Sequence, residues 1–329
     1  MNKPMYAIFF TAREQAELLP VAEEAGEPEP HEIAGRTLVT LSSPGTELNG
    51  AYLGQGFPRY PGYAAVFAVE QMGTQVAGVQ LGELRLCMGP HRSYQRCPVA
   101  DTVAVPAGLT PERAVFARLM GVSMATLSTS LARPPALVLV TGLGPVGNLG
   151  AQIFQTCGYQ VVAVDPDPTR QELARHVGLN RVYANVPKDD PGISKQVALQ
   201  LECSGHELAA LEGCQVLQPY GELSQIGTPW AQRSEATAHE LLSSIFLNYL
   251  SVRSGWEWQL PNHPTAFRRG SIFANFAAGL QWLHEERVKV DGLYELINPQ
   301  HAQQAYQDIL HRRLTCLAPM FDWRTFGLD

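Results

Sequence analysis

Residues 138–152 read VLVTGLGPVGNLGAQ, an apolar run followed by Gly142, Gly144 and Gly147 in Gly-x-Gly-x-x-Gly spacing. Alone, Gly-x-Gly-x-x-Gly is a weak signal. Here it follows a strand and opens a helix, and an acid, Asp165, closes the next apolar run, QVVAVD (160–165). That register makes physical sense for a dinucleotide. Gly142 permits the tight turn, and Gly144 lets the backbone approach a pyrophosphate. Gly147 lets helix and strand pack closely, while the helix N-terminus faces the phosphate charge. Asp165 is expected to accept hydrogen bonds from an adenosine ribose and to repel a 2′-phosphate, favouring NAD over NADP. Arg170 is the counter-argument, a cation that either accepts such a phosphate or lies flat on the adenine. Without a ligand, the same glycines would be a turn in some other α/β fold.

Outward from this stretch, strands and helices alternate. PTRQELARHVG (168–178) reads as a helix ending in glycine; VALQLECSG (197–205), GELSQIG (221–227) and YLSVRSG (249–255) read as later strands. Alternation at this spacing implies a parallel, doubly wound sheet. Before it, TPERAVFARLMGVSMATLSTSLA (110–132) predicts one helix, with Thr110 as N-cap and Pro111 at its first position, closed by the prolines at 134–135. The first 110 residues have a different texture. RTLVTLSS (36–43), GYAAVFAVE (62–70) and DTVAVPAG (101–108) are short apolar runs ended by turn residues, as in an irregular, mostly antiparallel β unit. The tail predicts helices over 270–288 and 299–313 and a last strand, LAPMFDW (317–323).

The 329 residues carry a net charge of −7 and are 45% hydrophobic and 17% charged, which suits two globular domains. No basic run stands out, so nucleic acid is not an expected partner. The acidic stretch EEAGEPEPHE (23–32) reads as a solvated loop. MNKPMYAIFF fits a first strand better than an export signal, and no apolar run is long enough for a membrane span. The six scattered cysteines suit free thiols in a reducing cytoplasm.

With SPGTE (43–47), PGYAAVFAVEQMG (61–73), VAGVQLGELRL (76–86), GLGPVGNLGAQ (142–152), VVAVDPDPTRQELARHVG (161–178), ECSG (202–205) and ELSQIGTP (222–229), the whole chain resembles the medium-chain dehydrogenase/reductase superfamily. SPGTE is similar to the branch with polyol-type and bacteriochlorophyllide-type dehydrogenases. The resemblance implies a β-rich GroES-like substrate domain (1–118), a Rossmann NAD-binding domain (119–269) and a C-terminal return to the first (270–329). It also implies a cleft between the domains and a homodimer joined along Rossmann edges, with YLSVRSG as the edge. It adds Pro145, Val146, Cys203, Ser204 and Gly227 to Gly142, Gly144, Gly147, Asp165 and Arg170 as cofactor-binding residues.

Zinc members of the superfamily hold metal through a C-G-T-D-like Cys, the His and Glu of G-H-E, and a further ligand near the linking helix. The matching positions here are Pro44, Tyr63 with Ala64, and the neighbourhood of Met120–Gly121, none of which offers a zinc donor. The four-cysteine structural lobe is missing too. No catalytic zinc is therefore expected, and a hydroxyl or imidazole must stabilise the charge that develops on a substrate oxygen. By the resemblance, Thr46 is the proton-relay hydroxyl and Glu47 orients its loop. Tyr63 is a candidate donor to the substrate oxygen, or else packs at a strand entrance. His91, in a Gly/Pro loop, is a candidate proton carrier or else a surface histidine. Cys87, His91 and Cys97 are an alternative, displaced metal set. Arg59 and Arg92 are candidates to meet an anionic substrate, and the GWEW tryptophans (255–258) to line a cleft or an interface.

The expected function is an NAD(H)-dependent, zinc-independent oxidoreductase acting on a small alcohol or carbonyl, such as a polyol, a sugar-like molecule or a cyclic one. Two alternatives stand beside it: an NADPH-dependent reductase of quinones or α,β-unsaturated carbonyls, and a dinucleotide-binding protein without catalysis.

Overall fold

The computed structural model describes residues 5–21, 27–268 and 270–326. The start of the acidic stretch, 23–26, and the first four residues lie outside that set. Strands β1 (Met5–Ala12) and β2 (Gln15–Val21) form an antiparallel hairpin. Next come β3 (Glu32–Leu41), the short helix α1 (Pro44–Glu47), β4 (Ala64–Met72), β5 (Leu84–Cys87), β6 (Tyr94–Pro98) and β7 (Thr102–Ala104). Helices α2 (Pro111–Ala114) and α3 (Ala117–Thr129) precede β8 (Leu137–Thr141), α4 (Pro145–Thr156), β9 (Gln160–Val164), α5 (Pro168–His176) and β10 (Val182–Tyr183). The chain continues through β11 (Val197–Glu202), α6 (Glu207–Val216), β12 (Leu217–Gln225), α7 (Ala238–Asn248) and β13 (Ser251–Ser254). It then forms α8 (Ile272–His284), β14 (Tyr294–Ile297), α9 (Ala302–Leu310) and β15 (Ala318–Asp322).

The chain divides into two units. One comprises residues 1–118, 276–284 and 290–329; the other comprises residues 119–275 and 285–289.

The first unit is built on a seven-stranded sheet ordered β14-β15-β3-β4-β5-β7, with β6 also on β3. It is antiparallel except where β14 runs beside β15. Strand β3 shifts register against β4 at Ala34/Gly35 and again at Thr37/Val39, and such bulges bend and twist a sheet. One core is aromatic: Phe10, Tyr52, Tyr306, Phe321 and Trp323 are buried together, with Phe10 edge-on to Tyr306 at 4.7 Å. The other gathers Ile33, Ala65, Phe67, Val69 and Cys87. Each such side chain contributes about 1.5–3 kcal/mol through burial.

The second unit holds an all-parallel sheet ordered β10-β9-β8-β11-β12-β13. Every residue of β8 is buried, as expected of a strand covered on both faces. The order reverses between β8 and β11, so the residues after Thr141 and after Glu202 stand at the topological switch point.

The linking helix differs from the sequence expectation, because 110–132 is two helices. Thr110 does cap α2, accepting from the Arg113 N–H. The break falls at Val115 and Phe116, both fully buried, where Phe116 N bonds Arg113 O and Arg118 N bonds Val115 O in tighter turns. A β-branched and an aromatic residue in succession are weak helix formers, and the core holds both. Among the described residues, no helix is long and apolar enough to cross a membrane.

Candidate functional site

At the switch point of the parallel sheet, the glycine motif makes a crossing of loops. Gly142 has φ +86°, and a Cβ there would meet Ser204 N at 2.7 Å, so the β8 turn and the β11 turn touch backbone to backbone. A Cβ on Gly147 would sit 1.8 Å from the Gly142 carbonyl oxygen. Gly144 caps α4, with Pro145 at the first helical position, and a Cβ there meets nothing within 4 Å. The first turn of α4 therefore opens onto clear space, with Val146 and Gly147 in it and the positive end of the helix dipole behind it. That is the arrangement an anionic pyrophosphate requires.

Glu202, fully buried, shapes the neighbouring turn. Its carboxylate accepts from the N–H groups of Ser204 (2.8 Å) and Gly205 (2.9 Å), from the Ser204 hydroxyl, and from Gln225 Nε2 (2.6 Å). Burial pushes this carboxyl above the usual range, against those bonds. Gly227 closes the turn, since a Cβ there would lie 2.4 Å from Gly205 N. The thiol of Cys203 is pushed well up by burial, then by Glu202, and stays protonated. Glu202 was not among the expected site residues. An acid ending a strand just before Cys-Ser-Gly was its only signal.

Asp165 is only 3% exposed. Its Oδ2 accepts from Leu143 N at 2.7 Å, inside the glycine turn, and its Oδ1 accepts from Asp167 N at 2.9 Å. Arg170 Nη1 reaches the same Oδ2 at 3.3 Å, with nearly half of the Arg170 side chain exposed. The acid thus braces the glycine loop with its charge already paired, and Arg170 is the group presented to solvent.

In the first unit, His91 and Glu47 belong to one buried polar chain. His91 is 0% exposed, so it is not a surface-loop histidine. Its Nδ1 lies 2.7 Å from Thr40 Oγ1 and its Nε2 lies 3.2 Å from Glu47 Oε2. The directions follow from the two ends. Trp323 Nε1 only donates, and it points at Thr40 Oγ1 at 3.0 Å; the Glu47 carboxylate only accepts. In the neutral imidazole, His91 therefore donates from Nε2 to Glu47, and its Nδ1 accepts from Thr40. Glu47 also accepts from the Tyr306 hydroxyl at 2.6 Å and from Ser43 N at 2.9 Å. Burial, then the Glu47 charge, pushes the Tyr306 phenol well up, which keeps it a donor. Both nitrogens of His91 are engaged inside the protein, so its contact with Glu47 fixes α1, on which Thr46 is exposed.

Tyr63 is tied to the same segment. Gly62, with φ +130°, lets Pro90 and His91 pass so closely that a Cβ would meet the His91 N at 2.4 Å, and that N–H donates to Pro61 O. One residue on, Tyr63 is half-buried beneath the Arg118 guanidinium, 4.0 Å from ring centroid to carbon. Arg118 is 2% exposed and also approaches the Phe276 ring at 5.3 Å. Arg118, 55 residues from Tyr63 in an apolar stretch, ARLMGV, was not among the expected site residues. Arg59 and Arg92, by contrast, bond nearby carbonyls of Gly50 and Arg96. Trp256 and Trp258 are both exposed.

A family profile described as zinc-binding dehydrogenase matches residues 145–263. L-threonine 3-dehydrogenase of Pyrococcus abyssi is 32% identical over 148 residues, 42% of this chain and 42% of that protein. Galactitol-1-phosphate dehydrogenase from Escherichia coli superposes over 96% of this chain and 99% of its own, with a TM-score of 0.80 at 15% identity. The chain thus shares the fold of that dehydrogenase, and its residues 145–263 match the zinc-binding dehydrogenase family. Sorbitol dehydrogenase of Halalkalibacterium halodurans is another relative, 27% identical over 131 residues, 37% of this chain and 38% of that protein. The matched stretches thus span less than half of these curated relatives.

The residues at the positions matching the ligands of zinc members of the medium-chain dehydrogenase/reductase superfamily do not fit zinc. Pro44 starts α1, Tyr63 stacks with Arg118, and Ala64 and Met120 are buried and apolar. Nor is the alternative set assembled, because His91 turns its nitrogens to Thr40 and Glu47. Among the described residues, no group of three His, Cys, Asp or Glu could hold a metal ion.

Proposed function

We propose that this chain is an NAD(H)-dependent oxidoreductase that moves a hydride between nicotinamide and a small alcohol or carbonyl (polyol, sugar-like or cyclic) without catalytic zinc. The observation that carries the reading is the open first turn of α4 at the switch point, bounded by Gly142, Gly144, Gly147 and Ser204. Relatives that are dehydrogenases of threonine, sorbitol and galactitol-1-phosphate support a hydroxyl-bearing substrate. When bound, the nicotinamide would donate or accept the hydride. The residues of the first unit do the rest: Tyr63 donates to the substrate oxygen, Arg118 stabilises the negative charge that builds there, and Thr46 relays the proton. His91 and Glu47 hold the Thr46 turn. The working assembly is a homodimer paired along β13, the outer strand of its sheet. Leu242, Leu247 and Phe246 (81% exposed) on the preceding helix, and Val252 of β13, are exposed apolar side chains.

A second reading rests on Arg170. An exposed guanidinium beside a buried, paired Asp165 suits a 2′-phosphate, and with it an NADPH-dependent reductase of quinones or α,β-unsaturated carbonyls. One set of measurements separates the readings: fluorescence titration with NADH and NADPH, zinc analysis of the purified chain, and turnover across alcohol, ketone, quinone and enone panels. NADH preference with alcohol or ketone turnover and zinc far below one per chain is expected. NADPH preference with enone turnover selects the second reading. Binding without turnover on any panel leaves a nucleotide-binding protein.

A further inference from the structure

Of the six cysteines, two from distant strands meet. Cys87 ends β5, where it pairs with Ala65 and Thr102; Cys97 lies on β6 opposite Ile33. Strands β6 and β5 are separated by β3 and β4 in the order of the sheet, yet the curled sheet turns both side chains into one apolar cluster. Cys87 is part of that cluster with Ile33, Phe67 and Val69, and Cys97 packs against it. The two thiols stand within hydrogen-bonding reach of each other. Their exposure differs in a useful way: Cys87 is buried, whereas Cys97 is partly open to solvent.

We propose that Cys87 and Cys97 are a redox-modification site that closes as an internal disulfide when the chain meets a small-molecule disulfide such as oxidised glutathione. The exposed partner reacts first. Cys97, as its thiolate, attacks one sulfur of glutathione disulfide, forming a mixed disulfide and releasing one glutathione thiolate. Cys87 then loses its proton and attacks the Cys97 sulfur. The Cys87–Cys97 bond forms, the mixed bond breaks, and a second glutathione leaves. Two protein thiols are oxidised and one glutathione disulfide is reduced to two thiols.

The order is set by the chemistry of the pair. Cys97 beside it, and then burial, hold the Cys87 thiol well above its usual range, while Arg92 and the main chain at Gly89 oppose this. In the reduced protein Cys87 is a poor nucleophile toward bulk oxidants, and it becomes effective only toward the sulfur already beside it. The bridge would tie the base of the 88–96 segment, whose His91 carries the bonds to Thr40 and Glu47 and whose backbone passes against Gly62. A covalent tie there reaches the segment that carries Tyr63.

The test uses the full-length chain, equilibrated with glutathione at graded ratios of disulfide to thiol, acid-quenched, unfolded, alkylated and mapped by peptide mass. The expected product is a linked pair of peptides containing Cys87 and Cys97, with the other four cysteines alkylated. Cys97→Ser should leave Cys87 reduced at every ratio, and Cys87→Ala should arrest Cys97 as the mixed disulfide. Stable glutathionylation of Cys97 in the unmodified sequence, with Cys87 alkylated after unfolding, would overturn the proposal. So would linkage of either residue to a different cysteine. Neither result bears on cofactor binding, so this proposal and the proposed oxidoreductase function fail separately.

Discussion

The Arg118 guanidinium lies 4.0 Å over the ring of Tyr63, and Arg118 is almost wholly buried. A buried cation against an aromatic face is attracted to the ring and, more strongly, to any negative charge on the phenolic oxygen or on an oxygen bound to it. Tyr63→Phe keeps the stack and removes only the hydroxyl. Turnover is expected to fall by about 10²–10³-fold with NADH affinity unchanged, as for loss of a positioned proton donor. Arg118→Lys keeps a charge but loses the planar stack, and should fall between Arg118→Met and the natural sequence. Steady-state kinetics on any substrate found in the panels decide this. Equal activity of Arg118→Met and the natural sequence would remove the cation from the mechanism.

Gly144 and Gly147 separate binding from folding. A Cβ on Gly144 meets nothing, so Gly144→Ala should melt at the same temperature as the parent. It would still fill the space a pyrophosphate needs, and NADH affinity should fall about tenfold or more, a loss of about 1.4 kcal/mol. Gly147→Ala puts a Cβ against the Gly142 carbonyl and should lose both stability and binding. Differential scanning fluorimetry with and without NADH distinguishes the two.

Arg170 and Asp165 should differ in kind. Arg170→Ala is expected to lower NADPH affinity about tenfold while leaving NADH within about twofold, since only the former carries a phosphate for it. Asp165→Asn would turn an amide toward the N–H of Leu143 or Asp167 and loosen the glycine turn, weakening both cofactors together. Parallel titrations with the two nucleotides check both.

Removing a donor from the buried chain around His91 should cost stability without moving the fold. Tyr306→Phe leaves Glu47 without its shortest bond, at a cost of about 1–3 kcal/mol. Urea unfolding should show a lower midpoint at an unchanged slope. A cost near zero would mean that water reaches Glu47.

Glu202 makes stability depend on pH. Burial raises its carboxyl above the ordinary 4.5, so the folded chain holds that proton more tightly than the unfolded chain does. Its favourable contribution is therefore complete below the unfolded value and is lost as pH rises through the folded one. Measured against Glu202→Gln, the natural sequence should lose relative stability as pH rises from the ordinary carboxylate value of 4.5. A gain instead would mean that the bonds from Ser204, Gly205 and Gln225 outweigh burial.

The parallel sheet was legible because its signals are local. Val138–Thr141 is apolar without alternation, the glycines sit at a fixed offset, and Thr110 and Pro111 mark a helix start. What escaped is long-range. Nothing near Arg118 says that its head lies on Tyr63, and nothing near His91 says that Thr40, Trp323 and Glu47 enclose it. Strand β10, of two residues, is too short for a periodic signal, and the Val115–Phe116 break depends on a core that only the fold assembles. Cys87 and Cys97 were considered together, with His91, as a displaced metal set. Their meeting as a pair comes from the curl of the sheet.

Ribosomal synthesis gives the β15–β3 pairing a temporal meaning. Strand β3 pairs with β4 early, but gains its second neighbour at Leu41 only when Met320 emerges. The hydroxyl that serves Glu47 comes 259 residues after it, and the indole that serves Thr40 comes 283 residues after it. The stretch 119–275, by contrast, is continuous and holds every strand of its own sheet. A nascent chain can therefore finish the parallel-sheet unit while Glu47 and Thr40 still await their last donors. Chaperone protection during translation would be needed longest by the segment made among the first.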